Sequence, residues 1–153
     1  MRTCFCAAGL ATGISVLVGV TSGYLGGRFD MLAQRLVDAW MTFPDLVILI
    51  AVVSAVGPGM PQVIVILGLL YGIGGSRIIR GAVVGVRENL YVQAAQSLGA
   101  GTPRILWRHI LPNVLPPVIV LFTTRVGIVI LAEAGLSFLG LGVPPPAPTW
   151  GGC

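Results

Sequence analysis

One histidine, His109, and five scattered acids, Asp30, Asp38, Asp45, Glu88 and Glu133, are all that this sequence offers for acid–base work. No Ser or Cys stands beside a plausible base. Neither a paired-acid nor an H-E-x-x-H arrangement occurs, which speaks against an enzyme, a membrane-embedded one included. His109 therefore reads as a helix-face or interface residue. Cys4, Cys6 and Cys153 make neither a zinc pattern nor a disulfide framework, so no metal and no cofactor is expected in this chain. Asp38, Asp45, Glu133 and Arg125 remain as charges set among apolar residues. Such charges mark solute or ion pathways in membranes, so these four are the candidate solute-path or interior polar residues. The three acids also admit a second reading, a proton-coupled secondary transporter that needs no ATPase.

The elements that carry these residues must be membrane helices. Of 153 residues, 56% are hydrophobic and only 9% charged, with mean hydropathy +0.96. A soluble domain usually carries about 25% charged residues. The net charge of +4 does not indicate nucleic acid, because the arginines sit beside apolar runs instead of gathering into one basic face. Met1-Arg2 followed by an apolar run resembles a signal peptide, but Thr3–Gly27 is uncharged throughout, longer than the usual apolar core of about 7–15 residues. That length fits a span.

A helix needs about 20 mostly apolar residues to cross about 30 Å of hydrocarbon. Four stretches qualify: 4–24, 36–56, 62–80 and 114–134. The first has glycine pairs at four-residue spacing, Gly9/Gly13 and Gly19/Gly23, which permit close helix contact. The second holds Asp38, Pro44 and Asp45 and has a re-entrant segment as its alternative. Gly57–Pro61 reads as a short hairpin turn. In the fourth, a central Arg125 costs about 3 kcal/mol, while the apolar side chains of 114–132 return roughly 4–7 kcal/mol. Insertion wins, and Arg125 should face the protein interior or a wet cavity. Arg28 and Arg35 follow the first span; Arg77, Arg80, Arg87, Arg104 and Arg108 fall in 77–112. With four spans these connections share one side, the cytoplasm, and the tail with Pro144-Pro145-Pro146-Ala147-Pro148 lies outside.

Within 87–98, Leu90, Tyr91, Ala94, Ala95 and Leu98 form one apolar stripe of a three-turn helix that Gly99 stops. Thr102 is placed to cap a second short helix with Pro103 at its first position. That helix carries Ile105, Leu106, His109 and Ile110 on one side and Arg104 and Arg108 on the other. Pro112 should close it, with Asn113 capping the next span. The apolar faces lie against lipid headgroups and neighbouring helix ends, or the small Ala94 and Ala95 admit a partner protein; the residues alone do not choose.

The spacing resembles a known signature. The cytoplasmic loop of binding-protein-dependent ABC permeases reads E-A-A-x3-G-x9-I-x-L-P, and this chain has Gln93-Ala94-Ala95, Gly99, then Leu111-Pro112 at matching distances, with His109 in place of Ile. R-H-I-L-P-N is similar to the dipeptide/oligopeptide/nickel branch, as are Arg35-Leu36-Val37-Asp38, Phe43-Pro44, Gly57-Pro58-Gly59 and Glu133–Gly142. Gln93 departs from the family's Glu. The resemblance implies an all-α, multi-span helical bundle of the type I ABC importer permease kind. It places a partial transmembrane domain at 4–151, without the family's first and last spans, so a fragment is expected. It also implies a coupling loop at 87–112, whose ATPase contacts would be Leu90, Tyr91, Gln93, Ala94, Ala95, Leu98, Gly99, His109, Leu111 and Pro112. The implied partners are a second permease subunit, two ATP-binding subunits that hold ATP and Mg, an extracytoplasmic solute-binding protein and membrane lipid. Peptide is the leading solute class that the resemblance implies; nickel complexes, glutathione and other solutes use the same scaffold.

Overall fold

The computed structural model describes residues 2–57 and 59–141, and these form helices joined by short turns. Pro58, the Pro-rich stretch 144–148, Trp150-Gly151 and Cys153 lie outside the described residues. Seven α-helices follow one another: α1 (Arg2–Leu25), α2 (Gly27–Met41), α3 (Asp45–Val56), α4 (Met60–Arg87), α5 (Leu90–Ser97), α6 (Thr102–Ile105) and α7 (Leu111–Phe138). A π turn, Leu106–Ile110, joins α6 to α7. The helices α1, α4 and the unit Thr102–Phe138 are each long and apolar enough to cross a membrane.

The centre of the bundle is the α1–α4 pair, and small residues explain it. A Cβ built on Gly19 would lie 2.7 Å from both Ile79 Cβ and the Ser76 carbonyl oxygen, and one on Gly72 would lie 2.8 Å from Ile14 Cβ. Without those Cβ atoms the two backbones approach closely, which is how membrane helices gain packing energy when lipid is as apolar as they are. The Ser15 hydroxyl donates across the pair to the Gly72 carbonyl at 2.7 Å. Of the two glycine pairs that the sequence offered, only Gly19/Gly23 is used. Nothing lies within 4 Å of a Cβ at Gly9 or Gly13, because the side of α1 that carries them faces away from α4.

Numbering rises together along this pair: Leu10 meets Gly68, Ile14 meets Gly72, Gly19 meets Ile79, and Arg87 donates to the Tyr24 carbonyl at 3.1 Å. So α1 and α4 run parallel, and the chain between them must return through the bundle. It does so by α2 and α3. Gly26, at φ 62, turns the chain out of α1, and Asp30 then meets Arg80 at one end of α4. At the other end Leu49 and Val53 share a core with Val63 and Leu67. The single helix expected over 36–56 is therefore corrected. The path is broken at Thr42–Pro44, with 77° between α2 and α3. Pro44 has no N–H to donate and disfavours helical geometry at Phe43, so one straight helix cannot pass.

Other boundaries shift as well. The third span continues to Arg87 instead of ending near 80, which puts Arg77 and Arg80 on α4, each paired with an aspartate of α2. The turn after α3 is shorter than expected, since Met60 and Pro61 already belong to α4. Pro112 does not close a helix. Lacking an N–H, it leaves the Arg108 carbonyl without its usual partner, and the helix widens into the π turn, where Leu111 N–H reaches the Leu106 carbonyl. Thr102–Phe138 is thus one unit of 37 residues. Gly101 precedes it and Thr102 makes no side-chain cap; Asn113 instead bonds back to the His109 carbonyl at 2.6 Å.

The unit's α7 runs antiparallel to α1 and α4. Its start packs Val114 and Leu121 against Ile79 and Val83, and its end packs Val129, Ala132 and Leu136 against Cys4, Ala7 and Leu70. Seven of the nine arginines consequently lie in the half of the bundle toward the C-termini of α1 and α4.

Candidate functional site

At that arginine-rich end, α5 stands apart from the spans. Its anchor is Val92, fully buried with Ile105, Ile110, Val114, Ile79 and Val83. The sequence reading passed over Val92 because it lies round the helix from the alanine stripe. Being the one β-branched residue of α5 was its only local signal. The stripe itself is left uncovered: Leu90 is 83% exposed, Leu98 is 89% exposed, and Tyr91 and Ala94 are exposed too. Ala95 is half-buried.

Gly99 ends α5 with φ +77, and the Ala100 N–H returns to the Ala95 carbonyl at 3.1 Å. Only glycine takes that conformation without strain. The reversal brings the π turn back beside α5, so the His109 ring stands 6.2 Å from that of Tyr91. Ile105 and Ile110 point inward while Arg104, Trp107 and Arg108 point out, as the periodicity indicates. Gln93 bonds the Glu88 carbonyl at 3.0 Å and closes the N-terminal side of α5. Leu111 is half-buried and Pro112 exposed beside it. The result is an apolar helical face, at the arginine-rich end of the bundle, that this chain does not cover.

The interior polar residues separate into three environments. Asp38 and Asp45, expected to be buried, are both exposed in this chain. Asp38 pairs with Arg77, and Asp45 opens the first turn of α3 after the Pro44 break. Glu133 is 1% exposed and accepts from the Cys4 thiol at 2.9 Å, which ties α7 to α1. Arg125 is half-buried, its guanidinium 5.4 Å from the centroid of the Tyr71 ring. Sequence reasoning missed Cys4 and Tyr71, since neither has a spacing that announces its partner.

The Asp30–Arg80 pair also went unread. Nε and Nη2 of Arg80 hold both carboxylate oxygens, at the mouth of an open cleft of about 530 Å³ between α2 and α4. The Asp30 side chain is only 14% exposed, whereas both partners of Asp38–Arg77 are nearly half exposed. A double-mutant cycle of Asp30→Asn and Arg80→Gln, read by unfolding in detergent, should give a coupling of about 1 kcal/mol. The cycle for Asp38 and Arg77 should stay below about 0.5 kcal/mol and vanish in high salt.

Comparison with known proteins fits this architecture. Residues 15–152 match the family described as binding-protein-dependent transport system inner membrane component. A provisionally named peptide permease protein of Brucella ovis is 45% identical over 143 residues, 93% of this chain and 47% of that protein. A similarly named peptide transport system permease protein of Brucella suis is 42% identical over 138 residues. A glutathione transport system permease protein of Pectobacterium atrosepticum is 38% identical over 138 residues, 90% of this chain and 46% of that protein. The chain spans about half the length of the curated relatives it matches. A match over most of its residues, on a bundle of parallel and antiparallel apolar helices, settles the kinship: the chain belongs to the inner membrane components of binding-protein-dependent transport systems.

Proposed function

We propose that this chain forms part of the permease of an ATP-driven importer of peptides, and that α5 is the helix through which an ATPase acts on it. The observation that carries this reading is the division of labour on α5. Val92 fixes the helix to the bundle, while Leu90, Tyr91, Ala94 and Leu98 remain uncovered at the arginine-rich end. Arginine-rich connections stay in the cytoplasm, where nucleotide-binding subunits are found. The partners are two ATP-binding subunits carrying ATP and Mg, a second permease subunit that completes the path, a solute-binding protein on the opposite side, and the surrounding lipid. The names of the Brucella and Pectobacterium relatives support peptide-like solutes.

The mechanism follows from the connections. Closure of an ATPase pair displaces α5, and α5 is joined to α4 by only Glu88 and Asn89 and to α7 through α6 and the π turn. Val92 passes the movement into the core that contains Ile79, Val83 and Val114, so α4 and α7 move with it. The path then opens on alternate sides. An equilibrium between two arrangements that both ligands bias is what coupling requires.

The test is co-purification from membranes. The ATPase subunit should come down with the complete transporter, and Gly99→Arg should release it. Cysteine labelling at positions 90 and 98 should occur from the cytoplasmic side. Transport without ATP hydrolysis, together with a silent Gly99→Arg, would leave this reading without support; labelling from the outer face would end it.

A further inference from the structure

The bundle has one polar level at mid-depth. Tyr71 of α4, Arg125 of α7 and Ser15 of α1 lie near the middle of their helices, around the α4 glycines Gly72 and Gly75. The Pro44 break opens at the same level, since Met41 lies against Gly74. Asp45 opens α3 between that level and the core that Leu49 and Val53 share with Val63 and Leu67, which puts it at the depth of Tyr71 and Arg125. Yet the two ion pairs among the described residues, Arg77–Asp38 and Arg80–Asp30, leave Asp45 and Arg125 apart.

Arg125 is not neutralised in place. Its Nε is buried without a hydrogen-bond partner among the described residues. The Tyr71 ring supports the cation from one side and offers it no proton acceptor at ion-pair distance. An uncompensated guanidinium at mid-span is costly, and such charges persist where they face a path or a cavity. In secondary transporters a helix broken at mid-membrane typically frames the solute site. The same physical reason, free backbone groups facing a path, applies to any break at that depth. A cation and an anion that share one level without touching fit a ligand bearing both charges.

We propose that Asp45, Tyr71 and Arg125 form a station on the solute path for a short zwitterion, with the carboxylate received at Arg125 and the ammonium at Asp45. The proposal rests on the importer reading above and names its solute chemistry. Arg125 contributes two or more donors to a carboxylate, and Tyr71 holds the guanidinium plane by cation–π contact. Asp45, exposed at the start of α3, accepts from the ammonium.

The experiment uses the complete importer in proteoliposomes and three solutes: dialanine, its C-terminal amide and its N-acetyl derivative. Each uptake is expressed relative to wild type for the same solute, which cancels the preference of the binding protein. Arg125→Gln should lower dialanine uptake at least about tenfold and amide uptake less than about threefold. Asp45→Asn should spare the N-acetyl derivative in the same way. Equal losses for all three solutes, or no loss, overturn the proposal. Where the binding protein refuses capped peptides, phenylglyoxal modification of Arg125 in the purified complex decides. Dialanine should slow it, and N-acetyl-dialanine amide should not; protection by both or by neither overturns the station. Wild-type uptake that ignores ATP would defeat the importer reading alone, because the solute ratios remain readable.

Discussion

Gly19→Val should be the most damaging single substitution in the α1–α4 pair. The new Cβ meets Ile79 Cβ and the Ser76 carbonyl at 2.7 Å and the Arg80 nitrogen at 3.0 Å. Two of those atoms are backbone, so no rotamer change relieves the contact and the helices must separate. Separation also stretches the Ser15–Gly72 hydrogen bond and the Arg87–Tyr24 contact, which run along the same interface. Overpacking of this kind costs roughly 1–3 kcal/mol, and the lost helix contact adds to it. Valine itself favours helix slightly over glycine, by no more than about 0.5 kcal/mol, so the sign stays destabilising. Gly9→Val is the control, with the same chemical change on the same helix and nothing within 4 Å. Thermal unfolding in detergent should show a clear loss for Gly19→Val and none for Gly9→Val. Equal behaviour of the two would mean that the close α1–α4 approach does not hold.

Those two glycine pairs show where the sequence stops being informative. Gly9/Gly13 and Gly19/Gly23 have the same spacing in the same apolar helix, and only the position of α4 separates them. The passages through the membrane were legible because hydropathy over about 20 residues is a property of the segment alone. Break points were less so. Asp38 and Asp45 were read into one helix by length, although Phe43-Pro44 carries its own instruction to leave helical geometry. The reverse error occurred at Pro112, where a proline read as a stop was absorbed by a π turn. A proline removes one hydrogen bond, and whether a helix ends or widens depends on what packs on either side. Here Ile110 and Val114 are both buried in one core, and that core holds the helix together across the defect. Charges followed the same division. Glu133 and Arg125 were found by type and surroundings, whereas Asp30–Arg80 joins residues fifty positions apart and has no sequence mark.

Leu98→Glu should abolish coupling while leaving the chain folded. Leu98 is 89% exposed, and substitutions at such positions usually change stability by less than about 0.5 kcal/mol. Its neighbours on the face, Leu90, Tyr91 and Ala94, are uncovered as well, so the carboxylate enters no core of this chain. In the proposed complex the same position is buried against the ATPase, and an unpaired carboxylate there must lose its water. Hot-spot positions in interfaces are worth about 2 kcal/mol or more, equivalent to roughly thirtyfold in affinity. Transport and co-purification should therefore fall together, with unfolding in detergent unchanged. Val92→Asp supplies the contrast. Val92 is fully buried in the core that joins α5 to α4 and α7, so its replacement should lower stability by several kcal/mol and coupling with it. A Leu98→Glu chain that still holds the ATPase would show that the uncovered face of α5 meets something else, with lipid headgroups the remaining occupant.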